Sequence, residues 1–139
     1  MTKNVLISIK GFEIGGPGED ITVEAKGDYH YIDGKHYIRY DETIDELGMI
    51  TNNLIKISPS QIEIIKKGVA NTTMTFELGD ITIANYKVPY GNLLLEIGTY
   101  LMSVDISDKL ITVLLNYRLI SNNEVISTNQ TEINVIPVR

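Results

Sequence analysis

Two histidines, no cysteine and a scatter of carboxylates bound the chemistry open to this chain. His30 and His36 flank an Asp33-Gly34 turn signal. In a hairpin closed by that turn, His30 faces outward and His36 inward, so the two cannot share one ion and no metal centre is expected. Without cysteine there is no disulfide, thiolate zinc site or cysteine nucleophile, and the composition suits a reducing compartment, so a cytoplasmic location is expected. No Gly-x-Ser-x-Gly elbow is present, and His36 has no evident serine partner for a nucleophilic triad. Glycoside hydrolysis needs two inward carboxylates, and only Glu42 is placed inward. Asp41, Glu42, Asp45 and Glu46 lie within six residues and could offer oxygens to Ca²⁺, but not at the spacing of an EF-hand, so they read as a solvated loop. Gly15-Gly16-Pro17-Gly18 could cradle phosphate only ahead of a helix N-terminus; a strand follows it, which makes it a plain loop. The expectation is a protein that is not an enzyme, has no catalytic residues and carries no cofactor.

What remains is a polar set, Tyr40, Glu42, Asn53, Lys66 and Asn85, and its meaning depends on the strands that place it. Asp20–Thr43 sets the frame. Ile21, Val23, Ala25, Gly27, Tyr29 and Tyr31 alternate with polar residues at the period of a half-buried strand. Asp33-Gly34 suits a type I′ turn, whose two central residues need positive φ. That turn pairs Asp28 with Arg39 and Lys26 with Asp41 on one face, and Tyr29 with Ile38, Gly27 with Tyr40 and Ala25 with Glu42 on the other. Glu42 is then a carboxylate on the apolar side.

The rest of the chain repeats this alternation. Val5, Ile7 and Ile9 form a first strand, and Ile55 and Ile57 lie on one face of Thr51–Ser58. Ser58–Gly68 carries both signals: Ser-Pro at its start and Lys-Lys-Gly at its end suit a helix, whereas Ile62 and Ile64 facing Ile57 and Ile55 suit a strand. Its shortness and isoleucine content favour the strand. Met74, Phe76 and Leu78 precede a Gly79-Asp80 turn, after which Ile81, Ile83 and Asn85 are expected on the same inner face. Leu93, Leu95, Ile97 and Thr99 give way to Met102, Val104 and Ile106, a change of parity that predicts a bulge near Tyr100–Leu101. Ile111 to Leu119 alternate again, and a last strand covers about Glu124–Val135.

Roughly ten strands joined by short connections are sequential antiparallel neighbours, and closure removes their edges. The fold class is therefore all-β: one antiparallel up-and-down β-barrel with little helix, occupying residues 1–139 as one domain. Its interior is expected to be lined by Ile7 or its strand neighbours, Val23, Tyr29, Ile38, Tyr40, Ile57, Ile64, Phe76, Ile83, Leu95, Ile97, Val113 and Leu115. A formal net charge of −6 argues against nucleic acid and against a polybasic membrane contact. No apolar run reaches the roughly 18 residues of a spanning helix, and MTKNVLISIKGFE alternates as a strand rather than as a leader.

Tyr40-Asp41-Glu42-Thr43, Thr51 with Ile55-Lys56-Ile57, Lys66-Lys67-Gly68, Met74-Thr75-Phe76 and Tyr86-Lys87-Val88-Pro89-Tyr90-Gly91, in this order, resemble the YwiB-like proteins, a bacterial family of small uncharacterised proteins. The resemblance covers almost the whole chain. It implies a calycin-like barrel, similar to lipocalins and fatty-acid-binding proteins. It departs at Lys66, where an arginine is expected, and at Val88, where a threonine is expected. The family has no established activity, so it lends no site residue.

Two functions suit such a barrel. The first is binding of a small amphipathic ligand in the barrel or at its mouth, oriented by Glu42, Lys66, Asn53, Asn85 and Tyr40, whose rows end at one rim. Glu42 and Lys66 are expected within direct or single-water reach there. The second is a protein-interaction or assembly module with a filled barrel, associating as a homodimer through outer residues such as Tyr37, Leu94, Tyr100 and Leu114. Whether aromatics such as Phe76, Tyr29, Tyr40 and Tyr117 fill the interior decides between them.

Overall fold

A computed structural model describes residues 3–16, 20–44, 49–68 and 70–138. Every regular element among them is a strand: β1 (Asn4–Glu13), β2 (Ile21–Ile32), β3 (Lys35–Ile44), β4 (Met49–Ile57), β5 (Ile62–Lys67), β6 (Asn71–Phe76), β7 (Ile81–Val88), β8 (Gly91–Ile106), β9 (Ile111–Ser121) and β10 (Glu124–Pro137). Each pairs antiparallel with the next, and β10 returns to β1 with Ile7 opposite Val135 and Ile9 opposite Ile133. The barrel is closed, as the run of short connections requires. The acidic residues Asp45 and Glu46, and Pro17 and Gly18 of the glycine loop, lie outside the described residues.

The turns set the registers. Asp33 and Gly34 both have positive φ, 50° and 81°, and pair Tyr29 with Ile38 and Asp28 with Arg39. Asn122 and Asn123 make a second turn of this kind, at 51° and 65°. Ser58 closes a tight turn, its amide donating to the Gln61 carbonyl at 2.9 Å and its hydroxyl to the same oxygen at 3.0 Å. Ile57 therefore faces Ile62 and Ile55 faces Ile64, and Ser58–Gly68 forms a strand rather than a helix. In β8 the register shifts between Thr99 and Leu101, the expected bulge, so that inward positions pass from Leu95, Ile97 and Thr99 to Met102 and Val104.

Two registers depart from expectation. The β2–β3 ladder stops at Gly27–Tyr40, so the pairings Lys26–Asp41 and Ala25–Glu42 do not form. Ala25 instead faces Ile7 of β1, and Glu42 faces Thr51 of β4. The second departure is β7. A two-residue Gly79-Asp80 turn would set Thr73 opposite Tyr86, but Thr73 pairs with Asn85. The Asp80 amide donates to the Glu77 carbonyl at 3.1 Å, with Gly79 between them at φ 79°. A displacement of one residue exchanges the faces of a strand. Ala84 is thus fully buried, whereas Ile81 and Ile83 are each 63% exposed, and Ile83 does not line the interior.

The inward side chains pack into one apolar core. Val5, Ile7, Ile38, Ile55, Ile57, Ile62, Phe76, Ile97, Ile111, Val113, Leu115, Ile133 and Val135 are all buried. Near the axis Phe76 meets Tyr117 edge-on at 4.9 Å, and the Tyr86 hydroxyl lies 3.9 Å from Met74 Sδ. Gly27 is required by packing. A Cβ there would collide with the Arg39 carbonyl and lie 2.7 Å from Ile7 Cδ1.

Candidate functional site

The β1–β2, β3–β4, β5–β6, β7–β8 and β9–β10 connections share one end of the barrel, here called the mouth. One inward row crosses the wall just inside it. Gly27 faces Tyr40, Tyr40 faces Asn53, Asn53 faces Lys66, and the row continues through Thr72 and Tyr86 to Leu93. Glu42 stands one inward position nearer the open end, opposite Thr51. The structure thus brings together Tyr40, Glu42, Asn53 and Lys66. It does not bring Asn85 to them. With β7 reversed, Asn85 pairs with Thr73 and Leu94 on the outer face, a correction that follows from the one-residue displacement.

Lys66 Nζ lies 3.6 Å from Glu42 Oε1, as expected, with the two side chains 42% and 29% exposed. At that separation the contact is an ion pair without a close hydrogen bond, and water reaches both partners. Below it the site is dry. Tyr40 and Asn53 are each only 3% exposed. Asn53 Nδ2 donates to the Thr51 carbonyl at 3.2 Å. Tyr40 Oη, Asn53 Oδ1 and Glu42 Oε1 are buried atoms with no hydrogen-bond partner among the described residues. Burial, and then the charge of Glu42, hold the Tyr40 proton far above the ordinary tyrosine value of 10.0. Asn53 Oδ1 and Glu42 Oε1 can only accept, so a hydrogen-bond partner for them must donate, whereas the Tyr40 hydroxyl can donate or accept.

The wall beside this set is open. Past Gly27–Tyr40, β2 follows β1 and β3 follows β4, and the two strands part. A cleft of about 590 Å³ lies there, lined by Asn4, Val5, Lys26, Gly27, Asp28, Arg39, Tyr40, Asp41 and Val138; of the polar set only Tyr40 lines it. Sequence reasoning extended the hairpin to its full length and so missed the cleft. Its one signal is Gly27, the residue at which the ladder ends.

A second cluster, also unforeseen, lies at the opposite end. The Tyr29 hydroxyl and His36 Nδ1 are 2.7 Å apart, and Tyr31 tilts against the same imidazole at 4.7 Å. Burial lowers the His36 pKa below 6.5 and raises that of Tyr29. No three His, Asp or Glu side chains among the described residues are grouped to hold a metal ion. Among the described residues no helix is long and apolar enough to cross a membrane.

The comparisons with known proteins agree with this architecture. The crystal structure of ywiB protein from Bacillus subtilis superposes with a TM-score of 0.84, covering 99% of this chain and 93% of that one at 23% identity, a likeness of fold. In sequence, the "Uncharacterized beta-barrel protein YwiB" of Bacillus subtilis (strain 168) is 29% identical over 97 residues, 70% of this chain and 67% of that protein. A family model described as "Domain of unknown function (DUF1934)" matches residues 7–133, from the first inward isoleucines of β1 to the buried Ile133 of β10. The chain therefore belongs to the DUF1934 family of YwiB-like β-barrel proteins.

Proposed function

We propose that this barrel binds a small amphipathic molecule at its mouth, through the seam between β2 and β3. One observation carries the reading. Tyr40 is almost wholly buried, its hydroxyl has no hydrogen-bond partner among the described residues, and it is one of the residues lining a cleft of small-molecule volume. Folded proteins rarely leave buried polar groups unpaired, and a cluster of them in one place is accounted for by something that pairs with them. The polar end of the ligand would carry N–H or O–H donors for Tyr40 Oη, Asn53 Oδ1 and Glu42 Oε1, reached as the loose Glu42–Lys66 pair parts.

Native mass spectrometry of the protein from its own host tests this. A retained small molecule, lost in Tyr40→Phe and Asn53→Ala but kept in an outer-face variant such as Thr73→Ala, is the expected result. A bare chain in every preparation, with no change in the amide spectrum around Tyr40 on screening polar fragments, would remove the reading.

A further inference from the structure

The outer wall of β5–β7 gathers positive charge in a chain whose balance is negative. Lys67 faces Asn71, and Asn71 faces Lys87, in one straight cross-strand row. All three residues are exposed. A cleft of about 230 Å³ lies along this row, lined also by Lys66, Thr73 and Asn85. No carboxylate lines it, although the chain holds 18 acidic residues against 12 Lys and Arg. Lys66 belongs to the inward row and is held by Glu42 at 3.6 Å. Lys67 and Lys87 make no ion pair among the described residues. On their own row the next carboxylate, Asp41, stands two strands from Lys67, beyond Asn52.

Neighbouring strands lie about 4.8 Å apart, so the Cα atoms of Lys67 and Lys87 are separated by roughly 10 Å. Two lysine side chains leaning toward each other can close that span onto one group seated over Asn71. The Asn71 side chain is fixed from below, because the Gly68 amide donates to its Oδ1 at 3.1 Å. Its Nδ2 has no acceptor among the described residues and is left as a donor at the centre of the row. Two ammonium groups and an amide N–H can thus address one position that the protein itself supplies with no counter-charge. What fits is a compact anion with several acceptor oxygens and more than one charge. A phosphate monoester carries about 1.5 to 2 negative charges at neutral pH, and lysine binds it as a point charge, whereas a carboxylate carries only one. We infer that this cleft binds a phosphate monoester group, with Lys67 and Lys87 on either side of it and Asn71 Nδ2 beneath. The site lies on the outer wall and stands independently of the reading at Tyr40.

Amide resonances of the full chain, followed while inorganic phosphate or glycerol 3-phosphate is added at constant ionic strength, test it, with circular dichroism to confirm that each variant folds. The expected result is a saturable shift of the Lys67, Asn71 and Lys87 amides, at least about tenfold tighter than for acetate. Lys67→Glu and Lys87→Glu should each weaken binding at least about tenfold. Lys35→Glu and Lys109→Glu make the same change of charge at the opposite end of the barrel and should leave it within about twofold. Phosphatidylcholine vesicles with and without phosphatidic acid separate the two carriers of such a group. Saturable binding of glycerol 3-phosphate without vesicle binding places the group on a soluble molecule. Sedimentation with phosphatidic acid vesicles, abolished in both Lys67→Glu and Lys87→Glu, places it on a lipid headgroup. No saturable response to any of these probes, a response that neither substitution weakens, or one that Lys109→Glu weakens as much, would overturn the inference.

Discussion

Replacing Tyr40 by phenylalanine removes one oxygen and leaves the ring, which is 3% exposed, in place. The hydroxyl has lost water on folding and gained no partner among the described residues. An unpaired buried polar group of this kind costs about 1–3 kcal/mol. In protein stripped of small molecules by unfolding and dialysis, Tyr40→Phe should therefore raise stability by about 1 kcal/mol, allowing for some relaxation around the vacated site. For a chain of this size that is a rise in Tm of about 3–5 °C. In protein carrying its native ligand the sign should reverse, since the variant loses a bond that the bound molecule supplies. Guanidinium titrations of both preparations, wild type and variant, provide the four numbers needed. The alkaline limb gives a second reading. Burial raises the Tyr40 pKa in the folded state, so the unfolded chain gives up this proton first and stability falls as pH rises past about 10. Tyr29, Tyr86 and Tyr117 are raised too and act in the same direction. The variant should lose one proton's share of that slope, up to about 1.4 kcal/mol per pH unit. If Tyr40→Phe destabilises the stripped protein by more than about 1 kcal/mol, the hydroxyl already has a partner and the argument for a site at Tyr40 fails.

The Glu42–Lys66 pair is half exposed and 3.6 Å apart, so Glu42→Gln and Lys66→Met should each cost under about 1 kcal/mol in denaturant titrations, and the double variant less than their sum. A cost of several kcal/mol for either would mean a buried pair instead. Gly27→Ala drives a Cβ into the Arg39 carbonyl and Ile7, and should destabilise by about 1–3 kcal/mol; a change near zero would show that the wall gives way at the seam. Burial holds the His36 pKa below 6.5, so the unfolded chain takes up this proton first and the contribution of His36 declines as pH falls through and below 6.5. The His36 ring resonances should therefore titrate below 6.5 in the folded protein, and His36→Gln should flatten the acid limb of the stability curve. A midpoint at or above 6.5 would contradict the burial of the ring.

Much of this barrel was legible because alternation and turn chemistry are local. The clearest case is the hairpin at Asp33-Gly34: two residues that tolerate positive φ fix which side chains face each other for several positions on either side. The parity change in Leu93–Ile106 likewise announced its bulge, because a strand buried on one face has no other way to change sides. The rim was legible in part for the same reason. Tyr40, Asn53 and Lys66 follow from two hairpins whose registers the turns set correctly, and Glu42 follows from Tyr40 by a step of two.

By itself, then, the sequence determined the strand content, the closed up-and-down order, the face of most strands and the meeting of Glu42 with Lys66. Three things were decided only by the tertiary structure. The face of β7 depended on one residue of slack around Gly79, and both faces of that strand carry residues able to pack: Ala84 and Tyr86 on one, Ile81 and Ile83 on the other. In the closed barrel Ala84, opposite Leu95 of β8, is buried, and Ile81 and Ile83 are left on the outer face. The seam between β2 and β3 arises because closing the barrel draws the first half of β2 onto β1, away from β3, at the one position where a glycine lets Ile7 and the Arg39 carbonyl approach. That Tyr40 Oη and Asn53 Oδ1 have no hydrogen-bond partner among the described residues depends on which neighbours ten strands bring within reach of them, and that is a property of the closed wall rather than of any segment along the chain.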